Sequence, residues 1–97
     1  MNRKELVSHR NLKDESGKTF TVEYYVTVDS SKLEEPEPAY GVLIEKFDLE
    51  SPESYEASGC FHEYGPAFAI AEKLSRYSVT PSGAEETIES LLEYINR

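Results

Sequence analysis

Residues 20–28 read Phe-Thr-Val-Glu-Tyr-Tyr-Val-Thr-Val, and this stretch decides the fold. Phe20, Val22, Tyr24, Val26 and Val28 alternate with Thr21, Glu23, Tyr25 and Thr27. A period of two, carried by β-branched and aromatic residues, is the pattern of a strand with one buried face. The strand needs a neighbour, and the sequence on either side supplies candidates.

Upstream, Asp14-Glu15-Ser16-Gly17 has the composition of a tight turn, with Asp at the first position and Gly at the last. Residues 3–13, with Val7 and Leu12 set among charges, read as the strand that completes a hairpin across that turn. Downstream, residues 29–38 hold two prolines and a set of like-charged glutamates and read as a loop without regular structure. Residues 39–49 form a third strand, with Tyr40, Val42 and Ile44 on one side and Leu43, Phe47 and Leu49 on the other. A strand apolar on both sides needs cover on both. After a turn at residues 50–54, Tyr55 to His62 form a weaker fourth strand, in which Gly59 marks a bulge.

The remainder switches to a helical period. Gly65-Pro66 opens the first helix, with Ala67, Ile70, Ala71, Leu74 and Tyr77 on one face and Phe68 roughly 120° away from it. Residues 78–80 connect it to a second helix, which begins either with Thr80 as cap and Pro81 in the first turn or with a Ser82–Glu85 capping box. Ala84, Ile88, Leu91, Leu92 and Ile95 form its apolar stripe, with Glu85, Glu86, Glu89 and Glu93 opposite. The expectation is a single α+β domain over residues 1–97. It has a four-stranded antiparallel sheet in the order β-β-β-β-α-α, and two antiparallel C-terminal helices packed on one face.

Composition agrees with a folded chain: 97 residues, 38% hydrophobic and 30% charged, with seven Tyr and four Phe. The net charge of −9 is uneven. Residues 1–29 carry five basic and five acidic side chains, and residues 30–97 carry five basic and fourteen acidic. Such a surface repels nucleic-acid phosphates and anionic lipid, so neither is an expected partner. The single cysteine, Cys60, excludes an intrachain disulfide. With no signal-like apolar run, the expected location is the cytoplasm.

Glu23-Tyr24-Tyr25-Val26, Tyr40-Gly41-Val42-Leu43-Ile44-Glu45, Val79-Thr80-Pro81 and Thr87-Ile88-Glu89-Ser90-Leu91-Leu92 carry a likeness through roughly residues 20–96. In them the chain resembles an uncharacterised family of small acidic proteins from Gram-positive anaerobic bacteria, catalogued as a domain of unknown function. The resemblance implies a bacterial cytoplasmic protein. It brings no activity, ligand or catalytic residue.

The chemistry-bearing residues are sparse. Cys60 and His62 lie two apart on the fourth strand, which would put them on one face about 7 Å apart. His9, Glu56 and Glu63 are the further ligands a zinc site could call on, at no standard zinc spacing. A Cys60 nucleophile with His62 as base lacks the positive surroundings that make a thiolate. Glu34, Glu35 and Glu37 do not have calcium-loop spacing, and the five scattered glycines form no phosphate loop. No cofactor and no catalysis are expected; a small metal- or thiol-dependent enzyme using Cys60 and His62 is the alternative.

Two surfaces remain. Glu85, Glu89 and Glu93 repeat every four residues, a solvated face or a dock for a basic partner, in the extreme a nucleic-acid mimic that blocks a basic protein. Tyr25, Leu43 and Phe47 fall on the sheet face that the helices leave open. An apolar patch there of about 400 Å² would yield about 10 kcal/mol before association costs, enough for a homodimer. The leading expectation is a non-enzymatic interaction or regulatory module that dimerises through this face.

Overall fold

The computed structural model describes residues 2–33, 38–48 and 52–95. The expectations placed on Glu34, Glu35 and Glu37, on Leu49, Glu50 and Ser51, and on the side chains of Ile95 and Arg97 lie outside the described residues.

The described residues form β1 (Asn2–Lys13), β2 (Thr19–Asp29), β3 (Tyr40–Phe47), β4 (Glu53–Phe61), α1 (Tyr64–Arg76) and α2 (Pro81–Ile95). The strands pair in chain order, β1-β2-β3-β4, each antiparallel to the next. The α+β architecture with helices at the C-terminal end is the one the periodicity predicts.

Local chemistry sets each junction. Asp14 closes the β1–β2 hairpin: its Oδ1 accepts from the backbone N–H groups of Ser16 and Lys18, both at 2.9 Å, and from the Ser16 hydroxyl at 2.7 Å. Those bonds, the Ser16 hydroxyl first, hold its carboxyl below the usual range. Gly17 takes a φ of 86°, which a side chain would oppose. The loop after β2 is not wholly irregular as expected. Ser30–Lys32 form a 3-10 turn, because Asp29 caps it by accepting from the Ser31 N–H before the prolines are reached. β4 begins at Glu53, two residues inside the expected turn. α2 starts at Pro81, the first of the two expected starts.

Between the helices, the Ser78 and Val79 N–H groups bond the carbonyls of Ser75 and Leu74, both at 3.0 Å. Ser78 adopts a φ of 54° to allow it. This is the Schellman ending, in a position where glycine is usual.

Both helices lie on one face of the sheet. Val22, Tyr24 and Val26 of β2 and Val42 and Ile44 of β3 meet Ile70 and Leu74 of α1 and Ala84 and Ile88 of α2, all buried. Tyr24 has no exposed surface, and its hydroxyl donates to the Val79 carbonyl at 2.7 Å, pinning the helix connector to the sheet. Burial pushes its phenol up to about 12, against a smaller opposing effect of Arg10.

Two irregularities shape the edges. The β1–β2 register shifts between Leu6 and Ser8. Before the shift Arg3 and Glu5 share the helix side with Val28 and Val26. After it, Ser8, Arg10 and Leu12 do so. The β3–β4 register shifts between Tyr40 and Val42. There Gly41 is obligatory, since a Cβ on it would lie 2.2 Å from the Ala57 carbonyl oxygen and 2.9 Å from the Ser58 Cα.

Candidate functional site

The strand registers lay out the open face as rows. Leu6, Tyr25, Leu43 and Glu56 form one row across all four strands. His9, Glu23, Glu45 and Ser54 form the next, and Asn11, Thr21 and Phe47 the one after. On the other side of the first row lie Lys4, Thr27 and Gly41.

Tyr25 and Leu43 are therefore direct cross-strand partners, as a shared patch requires. Phe47 stands apart from them. It is four residues beyond Leu43, about 13 Å along the strand, and the Glu23–Glu45 row lies between. It is 48% exposed.

Tyr25 differs from the expected bare ring, being only 8% exposed although no helix covers it. The Lys4 ammonium sits 4.5 Å from its ring centroid and pairs with the Glu45 carboxylate. The Tyr25 hydroxyl donates to Glu23. A charged lid from neighbouring strands thus shields the ring within the monomer. Burial first, then the bond to Glu23 and the charges of Glu23 and Glu45, push the Tyr25 phenol well above its ordinary value. What stays uncovered is Leu6 at 55%, Phe47, and half-buried Leu43. Arg3, Lys4, Thr27, Leu43 and Glu56 line a shallow depression beside the central row, about 340 Å³ in volume.

Charge on this face is graded. β1 contributes Lys4 and Lys13, whereas β2, β3 and β4 contribute Glu23, Glu45 and Glu56. Glu85, Glu89 and Glu93 are exposed along α2, above the far edge of the sheet. Burial, followed by the charge of Glu85, raises the Tyr55 phenol of β4, so the acidic ridge runs beside that strand.

The thiol and imidazoles do not converge. His9 is on β1 and Cys60 on β4, opposite edges of the sheet about 14 Å apart at one strand spacing per step. β4 ends at Phe61, so His62 leaves the strand and is exposed instead of sharing a face with Cys60. The Cys60 thiol is half-buried, and burial pushes its pKa up. Among the described residues no three His, Cys, Asp or Glu side chains come together in a way that could hold a metal ion.

A further cluster lies on the helix side. Tyr40 meets Tyr64 edge-on and Tyr64 stacks on Phe68, each pair with ring centroids 6.0 Å apart. Burial first, then the Glu5 carboxylate of β1 that it faces, raises the Tyr64 phenol. Tyr64 and Phe68 are 39% and 38% exposed. The one sequence signal was Phe68, out of phase with its helix stripe.

The geometry defines a two-layer α+β protein, a four-stranded meander with helices over one face and a polar-rimmed second face. Among the described residues no helix is long and apolar enough to cross a membrane. The chain belongs to DUF6514, a family of unknown function, which it matches over residues 3–93. Neither a curated protein nor a solved structure matches it.

Proposed function

We propose that this protein is a non-enzymatic interaction module that pairs with a second copy of itself through the open face of its sheet. The observation that carries the reading is the grading of charge across that face, basic on β1 and acidic on β2 to β4, around uncovered Leu6 and Leu43. A two-fold axis running along the strands lays β1 of one copy over β4 of the other, so that unlike charges meet at both rims. An axis across the strands would oppose β1 to β1 and bring like charges together.

The affinity follows from the covered area. Four strands span about 19 Å, and one face offers about 400 Å², half of what a standard interface buries per partner. Tyr25 is already sheltered, so its ring adds little. The balance after association costs is a micromolar dimer, weakened by salt.

Light scattering on size-fractionated protein tests this. The mass should rise from 11.0 kDa towards twice that value as concentration passes through the micromolar range. Leu43→Asp should hold the protein at the monomer mass with its circular dichroism unchanged. A monomer at every concentration up to millimolar overturns the reading.

A further inference from the structure

The basic side chains are concentrated where the sheet ends. β1 carries Arg3, Lys4, Arg10 and Lys13 against Glu5 alone, a net +3 in a chain whose total is −9. It is an outermost strand, so every second residue turns its N–H and C=O away from β2 into solvent.

One flank of α1 overlooks this edge. At 100° per residue, Tyr64, Phe68, Ala71 and Ser75 fall within about 60° of one another. The flank is anchored to β1 at its C-terminal end and faces it at the other. The Ser75 hydroxyl donates to Ser8 at 2.8 Å, and the Arg10 Nε donates to the Ser75 carbonyl at 2.9 Å. At the other end the Tyr64 hydroxyl faces the Glu5 carboxylate. Small Ala71 and Ser75 let helix and strand close together at the C-terminal end, whereas the rings of Tyr64 and Phe68 stand off at the N-terminal end with their outer sides exposed. The Val7 bulge divides the edge into two regular stretches, Arg3 to Leu6 and Ser8 to Lys13, of which the first is exposed throughout and the second is held under α1 by Ser75.

We propose that this stretch of β1, together with the Tyr64–Phe68 flank of α1, binds an extended acidic peptide segment as a fifth strand. A strand added there lies one spacing outside β1. Its alternate side chains rise beside Tyr64 and Phe68, where apolar residues fit. The intervening ones drop to the open-face side near Lys4, where carboxylates fit. The main chain supplies the bonds to the edge, and the alternation supplies the selectivity. This surface is the edge and not the face of the sheet, and it shares Lys4 with the pairing of copies proposed above, so the two are separated by experiment.

Fluorescence anisotropy with a labelled heptapeptide, Glu-Val-Glu-Phe-Glu-Val-Glu, tests it on the full chain. The measurement is made in parallel on the Leu43→Asp variant, so that self-association is separated from peptide binding. Binding in the tens of micromolar at low salt is expected in both proteins. Phe68→Ala, at a ring with an exposed side, should weaken it about five-fold. Replacing the glutamates by lysine should weaken it at least as much, as should N-methylation of alternate residues, which removes the donors of one peptide edge. Absence of binding up to millimolar peptide overturns the proposal. So does equal binding of the lysine or N-methylated peptide, or an unchanged affinity in Phe68→Ala.

Discussion

Tyr24 and Tyr25 are adjacent in the chain and point to opposite faces of one strand, and the two faces bury a ring by different means. Tyr24 disappears under α1 and α2, with its hydroxyl on a backbone carbonyl. Tyr25 is shielded to 8% by a lysine and flanking carboxylates that its own sheet provides. The first arrangement fixes the position of the helices. The second keeps a sheet face polar while leaving apolar ground, Leu43 on an inner strand and Leu6 on the β1 edge. A face closed by charged side chains at the surface can be opened by a partner at smaller cost than one closed by packed helices.

The largest effect is expected on the covered side. Tyr24→Ala should destabilise by about 4 kcal/mol, since it leaves a ring-sized cavity between sheet and helices. Tyr25→Ala should cost about half as much, because water can fill its place. Urea denaturation of the two variants checks the ratio, and equal losses would dissolve the distinction between the faces. Gly41→Ala sharpens the comparison from the other direction. Gly41 sits in an open-face row, yet the added methyl meets the β4 backbone at 2.2 Å. A loss of about 3 kcal/mol is expected, as for overpacking in a core. A neutral result would mean that β4 can slide away from β3 at the bulge.

The elements were legible because periodicity is a local property: two for Phe20 to Val28, 3.6 for the helix stripes. The side of the sheet that the helices choose was legible too, since Val22, Tyr24 and Val26 outweigh Thr21, Glu23 and Thr27. The shielding of Tyr25 was not. It depends on which β1 residue comes to lie over the ring, and the Val7 bulge moves that register by one residue. The separation of Phe47 from Leu43 was within reach, being a matter of counting residues along a strand. The Tyr40–Tyr64–Phe68 cluster joins residues far apart in sequence, and only the phase of Phe68 hinted at it. The left-handed Ser78 left no mark, because the residue expected there is glycine. Ser78→Gly should accordingly raise stability by about 0.5–1 kcal/mol in thermal unfolding.

The smallest change separates the two phenols by their hydroxyls alone. Tyr24→Phe leaves the half-buried Val79 carbonyl without its donor and should cost about 1 kcal/mol. Tyr25→Phe frees a Glu23 carboxylate that water can reach, and should cost about 0.5 kcal/mol or less. Alkaline unfolding gives an independent check. Folding holds the Tyr24 phenol neutral up to about 12, while in the unfolded chain it ionises near 10. Its contribution is therefore complete below pH 10 and is lost as the pH rises from there through about 12. Stability of the parent protein should fall through that window, and the fall should be shallower in Tyr24→Phe, which has no proton to lose at that position. A Tyr24→Phe curve parallel to the parent's would mean that its phenol does not couple to folding. The sheltered ring would then be held by packing alone, and the tie from β2 to the helix connector would carry no electrostatic part.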